Sequence, residues 1–298
     1  MNYEDNKIFK DIVEKMTKNL YYSYCDLLER RKDHLDVNIV RKINLPMSSY
    51  CEDEVAIASQ KILGNEYDFL IDVNLSFNGK KKYRPDIVIF KRNNGVNKIV
   101  GIIEVKAQMG YCDTPDLKPS TYMKKIDRLR KSKKKKILFN NKDIDSMTPK
   151  QEIIDKSNLI DIENDGKLLD FYQKFMKDNE KLSKKNNFIE YEIADNLNVF
   201  VVNVLCSNHM NKVKEAIYRF DHEISDNVHF YCLFGIDSDN PNKLWYNNLE
   251  YDKLFGGDKD FGDEVDKRVS KKKYLITKKT KEKHGFEQFY KDLKSIIS

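Results

Sequence analysis

The segment between residues 69 and 105 constrains the fold of this chain most strongly, because strand patterns and turn signals alternate along it. Residues 69–77 and 83–90 are rich in β-branched and aromatic side chains, and they flank Asn78-Gly79, a strong hairpin signal. Asn93-Asn94-Gly95 is a second turn signal and leads into an apolar run over 99–105. The segment therefore predicts a three-stranded antiparallel meander.

Two helices are predicted ahead of the meander. The chain opens with apolar residues at helical spacing, and a second such stripe begins after Ser48 or Ser49 and stops at Gly64, a residue typical of helix ends. The first stripe contains Ile8, Ile12, Met16 and Leu20, and the second contains Cys51, Val55, Ala58 and Ile62.

The rest of the chain predicts further helices and strands around this sheet. Residues 198–205 form a nearly continuous apolar run, which is typical of a strand buried on both faces. Helices are predicted from 119, over 168–182, over 212–220 and over 286–297, and strands over 135–139, 228–234 and 274–277. The predicted class is α/β, a mixed β-sheet flanked by helices, with helical additions.

The composition is that of a folded protein, since 40% of the 298 residues are hydrophobic and only 11 are Gly and 6 Pro. The N-terminus lacks the basic and then apolar order of a signal peptide, and Asn203 interrupts the longest apolar run. The five cysteines are an odd number without a C-x-x-C pair. We expect a cytoplasmic protein with no membrane span, disulfide framework or zinc knuckle.

The net charge of +6 is unevenly distributed. Residues 118–136 contain ten basic side chains against Asp127 alone, and residues 268–283 contain eight against Glu282 alone. Such clusters favour a polyanionic partner. The alternative is a solvated surface in a lysine-rich chain.

Two short motifs in the meander combine carboxylates with a lysine. Asp86 follows Pro85 just before the core of the second strand, and Glu104-Val105-Lys106 ends the third. Because side chains alternate along a strand, Glu104 and Lys106 share a face while Val105 points to the core. Antiparallel pairing would bring Asp86 beside them. Two carboxylates suit Mg²⁺, and a lysine can stabilise a phosphoryl transition state; the alternative is a structural ion pair.

These motifs resemble those of the PD-(D/E)xK nuclease superfamily, to which many type II restriction endonucleases belong, over residues 48–136. The resemblance implies a restriction-endonuclease-like core, Mg²⁺ held by Asp86, Glu104 and Val105, and attack of water on a phosphodiester to leave a 5′-phosphate. No repeat and no Gly/Ser or Pro linker divides the sequence, so we expect one integrated nuclease domain over 1–298, with a catalytic core over about 48–236, an N-terminal helical segment over 1–47 and a C-terminal extension over 237–298.

Further site residues are predicted around this core. On the helix over 48–64, Glu54 lies about 70° from the centre of the apolar stripe, Glu52 about 90° and Asp53 nearly opposite, so Glu54 is the preferred additional acid. Gln108 shares the strand face of Glu104 if the strand continues, where it would contact a metal-bound water or a phosphate.

Candidate DNA contacts lie outside the meander. Lys124, Arg128 and Lys131 form a basic stripe on the next helix, suited to backbone phosphates. Asn240 and Asn242 lie in an Asn-rich loop around Trp245 that is suited to reading bases, although such loops are also ordinary turns.

The predicted function is that of a Mg²⁺-dependent, sequence-specific type II restriction endonuclease acting on double-stranded DNA as a homodimer. The alternatives are a structure-selective or exonucleolytic repair or recombination nuclease of the same superfamily, and a non-catalytic DNA-binding protein. RNA as the substrate stays open. The sequence contains no P-loop, G-x-S-x-G or H-E-x-x-H motif that would favour another chemistry.

Overall fold

A mixed β-sheet between layers of helices organises the protein. The computed structural model describes residues 2–36, 48–77, 81–93, 96–108, 118–132, 135–138, 188–205, 210–222, 225–234 and 282–297. In these residues the helices are α1 (Tyr3–Asp36), α2 (Ser48–Leu63), α3 (Pro119–Arg130), α4 (Met210–His222) and α5 (Phe286–Ile297). The strands are β1 (Tyr67–Ile71), β2 (Asn74–Phe77), β3 (Lys81–Tyr83), β4 (Ile87–Asn93), β5 (Val96–Gln108), β6 (Lys135–Leu138), β7 (Phe188–Glu190), β8 (Glu192–Leu205) and β9 (Val228–Phe234).

The main sheet has five strands in the order β1-β4-β5-β8-β9. The first three pair antiparallel, whereas β5 pairs parallel with β8 and β8 parallel with β9. Every residue from Val199 to Val204 is fully buried, which confirms the prediction of a strand covered on both faces. The protein is therefore of the α/β class, with an open mixed sheet flanked by helices.

The predicted meander is present as β1-β4-β5, but its first strand is interrupted. Asp72 has a φ of 57°, a left-handed conformation that Asp tolerates better than most residues, and it ends β1. Its N–H donates to the carbonyl of Asp86 at 2.8 Å. The single strand expected over 69–77 is therefore divided between two sheets.

The residues after Asp72 enter a second, four-stranded sheet in the order β3-β2-β6-β7. β2 and β3 pair antiparallel, with Phe77 opposite Lys81. The strand that returns beside β2 is therefore Lys81–Tyr83 and not the predicted 83–90, whose residues 87–90 belong to β4 in the main sheet. The strand predicted from Lys135 pairs with β2 in this sheet rather than in the main one. The second sheet thus extends from the middle of the meander and returns the chain to β4.

Helices cover both faces of the main sheet. On one face α1, α2 and α5 pack on side chains such as Ile103 and Phe200, and on the other face α3, α4 and the second sheet pack on Ile102 and Val201. The predicted apolar stripe of α2 is buried throughout. In α1 the expected stripe is wrong at one position, because Ile8 is 41% exposed and its neighbour Phe9 is buried instead.

Helix α5, which matches the predicted closing helix, packs its apolar face into the core. Its Ile297 carbonyl accepts a hydrogen bond from the Tyr67 hydroxyl at 3.0 Å, and Phe289 meets Phe200 edge to face. Gly101 on β5 makes this packing possible, because a Cβ there would lie 2.8 Å from Ile297 Cδ1.

The remaining predictions concern other parts of the chain. The helix over 168–182 and the strand over 274–277 lie outside the described residues. Among the described helices, none combines the length and the apolar character that crossing a bilayer requires.

Candidate active site

Asp86 meets the end of β5 through a direct hydrogen bond. The main-chain ladder between β4 and β5 begins at the pair Ile87 and Ile103, and Asp86 lies one residue before it. Its Oδ2 accepts a hydrogen bond of 2.6 Å from the N–H of Val105, so a side chain takes the place of the next main-chain partner. The predicted convergence of Asp86 with the Glu104-Val105-Lys106 motif is therefore present in the structure.

The alternation along β5 separates the motif as expected. Val105 is 6% exposed and belongs to the core beneath α2, so it can offer a cation only main-chain atoms. Glu104 lies on the opposite face, is 4% exposed, and has its Oε2 at 3.7 Å from the Nζ of Lys106. Lys106 is partly buried, with 20% of its side chain exposed.

The other oxygen of Glu104 has two partners that the sequence did not reveal. Its Oε1 accepts a hydrogen bond from the Tyr83 hydroxyl and lies 3.5 Å from the Nζ of Lys125. The Lys125 ammonium also lies over two aromatic rings, 4.7 Å from the centroid of Tyr83 and 5.1 Å from that of Tyr122. The spacing of Tyr122 and Lys125, three residues apart and hence on one side of a helix, is the signal that was available for this contact.

Burial from solvent and neighbouring negative charges dominate the electrostatics of the site. Burial, and next the carboxylate of Glu104, raise the pKa of Asp86 to about 7. Lys106 and the Val105 N–H oppose this rise, and Glu52 adds to it. The pKa of Asp86 is thus raised chiefly because burial disfavours the charged carboxylate, and secondly because the negative charge of Glu104 lies nearby.

Of the neighbouring acids on α2, Glu52 rather than Glu54 influences Asp86. Glu52 interacts electrostatically with Asp86, Lys106 and Arg84, and burial raises its own pKa. Glu54 points instead to α1, where its Oε1 accepts a hydrogen bond of 2.8 Å from Asn19. The side chain of Glu54 therefore does not point to Asp86 as the helical wheel predicted. On that wheel Glu52 and Glu54 differ by only about 20° in their angle from the apolar stripe, and the packing of α1 against α2 decides which of them faces the site.

Arg84 and Asp72 form a pair at the mouth of the site. Two guanidinium nitrogens of Arg84 donate to the two carboxylate oxygens of Asp72, a bidentate arrangement. Both side chains are about half exposed, at 62% and 49%. The pair thus links Asp72, at the corner after β1, to Arg84, which directly precedes Pro85 and Asp86.

The structure places some of the other predicted contact residues. Lys124, Arg128 and Lys131 are exposed on or just after α3. Gln108 is the last residue of β5, opposite Leu205 on β8. Asn240 and Asn242 lie outside the described residues.

The residues present fit a hard divalent cation. Among the described residues no group of three or more His, Cys, Asp and Glu side chains has the geometry of a metal site. Mg²⁺ is commonly held by only one or two carboxylates, with water and substrate phosphate oxygens completing its shell. Asp86 and Glu104 would supply the carboxylates and Val105 a main-chain carbonyl, since the Val105 N–H already bonds Asp86 and Glu104 lies on the neighbouring residue of β5.

No match emerged when the chain was compared with known protein families, curated proteins and solved structures. The geometry of Asp86, Glu104 and Lys106 is therefore the basis for the function proposed below.

Proposed function

We propose that this protein is a Mg²⁺-dependent nuclease that hydrolyses DNA phosphodiester bonds at Asp86, Glu104 and Lys106. One observation carries the proposal: the 2.6 Å hydrogen bond from Val105 N–H to Asp86 joins the two halves of the motif that resembles PD-(D/E)xK. A carboxylate from one strand and an acid-x-Lys triplet from its neighbour then border one small volume.

The topology around the motif supports the same proposal. An antiparallel β1-β4-β5 unit, preceded by α2 and followed by α3 and the parallel strand β8, is a mixed sheet flanked by helices of the kind that the resemblance implies. On this basis we assign the fold to a restriction-endonuclease-like core.

The chemistry assigned to the site is hydrolysis by water. When bound, Mg²⁺ would neutralise charge on the phosphate and lower the pKa of a water ligand. Asp86 and Glu104 would hold the ion, with the Val105 carbonyl as a third ligand. Lys106, tethered at 3.7 Å from Glu104, presents an ammonium that orients the attacking water or stabilises the pentavalent transition state.

The surroundings of the site favour a polyanionic substrate. Lys125 on α3 contacts Glu104, so the exposed Lys124, Arg128 and Lys131 lie within about two helical turns of the motif. Such side chains contact backbone phosphates and position a duplex without reading its sequence. We assign double-stranded DNA as the substrate, and the type II restriction form, acting as a homodimer on a twofold site, as the biological form.

The test is digestion of a long mixed-sequence duplex with Mg²⁺, followed by sequencing of the fragment ends. Discrete fragments with 5′-phosphate ends are expected from the wild-type protein and none with EDTA. Degradation from the ends would favour a repair or recombination nuclease instead. Binding of the duplex without any Mg²⁺-dependent cleavage would favour a non-catalytic DNA-binding protein.

Two substitutions test the assigned roles. Asp86→Asn and Lys106→Ala each remove a charge from the site, and each should lower the cleavage rate by at least about a hundredfold. Asp195→Asn, an exposed carboxylate on β8, is the matched control and should cleave like the wild type. Cleavage that survives both site substitutions would refute the assignment of Asp86 and Lys106.

A further inference from the structure

Glu104 is held at one oxygen by groups from two other parts of the fold. Its Oε1 is bonded to Tyr83 from the second sheet and lies 3.5 Å from Lys125 of α3, whereas its Oε2 lies 3.7 Å from Lys106 of its own strand. A carboxylate that is 4% exposed is costly to keep charged unless donors and cations surround it. Three donors on two oxygens meet that requirement.

The two groups on Oε1 are themselves fixed. Tyr83 is 8% exposed, and its hydroxyl donates to Oε1 of Glu104 from within the core beneath α3. The ammonium of Lys125 lies over the faces of Tyr83 and Tyr122, which attract a cation and restrict where it can lie. Neither group depends on a ligand for its position.

We propose that Tyr83 and Lys125 are positioning residues that hold Oε1 of Glu104, that Oε2 is thereby the single metal-binding oxygen, and that Lys125 acts as a fixed counter-cation that weakens binding of a divalent ion to the free protein. This inference rests on the proposed nuclease function and extends it. An ammonium so close to the ligand repels a dication, so strong occupation of the site awaits the negative charge that substrate phosphates bring.

The charge and the positioning can be separated by experiment on the full-length protein. Mn²⁺ binding is measured by titration calorimetry without DNA, and cleavage of duplex DNA by single-turnover kinetics at saturating Mg²⁺. Lys125→Met removes the charge and keeps most of the apolar stem, Tyr83→Phe removes only the hydroxyl, and Lys125→Arg restores a cation.

The expected results move the two measurements in opposite directions. Lys125→Met should bind Mn²⁺ about fivefold more tightly or better, since a repelling charge is gone, and cleave about tenfold to a hundredfold more slowly, since Glu104 is less well oriented. Tyr83→Phe should slow cleavage similarly without tighter Mn²⁺ binding. Lys125→Arg should bring both values back toward those of the wild type.

Lys294 provides a matched control far from this group. Its ammonium lies 2.6 Å from Asp5 and 6.0 Å from the ring centroid of Tyr290, so it combines the same three kinds of group. Lys294→Met should change neither Mn²⁺ affinity nor cleavage. Folding of every variant is verified by urea unfolding, and if Lys125→Met does not fold, Lys125→Gln carries the same expectations.

The outcomes distinguish this inference from the nuclease proposal. The inference is overturned if Lys125→Met binds Mn²⁺ more weakly in proportion to its loss of cleavage rate, or if neither value changes. The nuclease proposal still stands in that case, provided that the wild type cleaves DNA. If the wild type does not cleave DNA but Lys125→Met raises the affinity for Mn²⁺, the nuclease proposal is overturned and the role of Lys125 as a counter-cation stands. If neither the wild type nor Lys125→Met binds Mn²⁺, the inference is overturned as well.

Discussion

Replacing Asp86 by asparagine should stabilise the metal-free protein at alkaline pH, although it removes a group essential to the proposed activity. Burial and Glu104 raise the pKa of Asp86 from 3.8 to about 7. At about 1.4 kcal/mol per pH unit, keeping this carboxylate charged in the folded protein costs at most about 4 kcal/mol. Asparagine carries no charge, and its amide oxygen can still accept the N–H of Val105.

The sign follows from proton binding. Between about pH 4 and pH 7 the folded protein keeps a proton on Asp86 that the unfolded chain has released, so the wild-type free energy of unfolding falls as the pH rises and levels off above about pH 7. The Asp86→Asn protein lacks this slope. Its advantage over the wild type should therefore be small near pH 4 and approach about 4 kcal/mol at pH 8.

The assay is urea unfolding in EDTA at several pH values, with Asp195→Asn as the control that should follow the wild type. An advantage for Asp86→Asn that is the same at every pH would indicate a packing effect, and no advantage at pH 8 would refute the reasoning. Adding Mg²⁺ at pH 8 should raise the stability of the wild type more than that of Asp86→Asn, because the ion binds the charged carboxylate. Equal shifts at a Mg²⁺ concentration that saturates the wild type would refute a metal ligand at this position.

Two further predictions concern the core and the basic helix. Gly101→Ala should lower the free energy of unfolding by about 1 kcal/mol in urea titrations, because its Cβ would lie 2.8 Å from Ile297 Cδ1 and 3.0 Å from Ile89 Cδ1, and these side-chain ends would have to shift. The loss caused by Gly101→Ala should be smaller when it is measured in an Ile297→Ala background, and an unaltered midpoint in the wild-type background would contradict the packing described. Replacing Lys124, Arg128 or Lys131 by alanine should reduce the salt dependence of DNA affinity by about one unit of slope each, measured by fluorescence anisotropy of a labelled duplex, and an unchanged slope would exclude that residue as a phosphate contact.

The parts of the site that the sequence predicted are those built by local pairing. Asp86 and Val105 are joined across one tight turn, and the alternation of β5 fixes which of its side chains share a face. Strand period and turn signals suffice for such contacts. The same reasoning located the buried strand β8 and the closing helix α5, both of which have strong apolar patterns.

The parts that escaped prediction depend on how separate elements are oriented. Asp72 adopts a left-handed backbone conformation and so divides the strand predicted over 69–77. The alternation of apolar and polar residues does not indicate such a conformation. Lys125 reaches Glu104 only because α3 packs beside the second sheet, whose strand β3 brings Tyr83. Glu52 rather than Glu54 influences Asp86, because the side chain of Glu54 is hydrogen-bonded to Asn19 of the neighbouring helix α1.

The parallel pairing of β5 with β8 has a consequence for the nascent chain. The strands β4 and β5 emerge from the ribosome as one hairpin, yet the partner for the other edge of β5 is made about a hundred residues later, a delay of roughly 5–20 s at ordinary elongation rates. During that interval an apolar strand edge next to Glu104 is unpaired and prone to associate with other chains. We expect fragments that stop before β8 to aggregate, and chaperone contacts during synthesis to concentrate on β5.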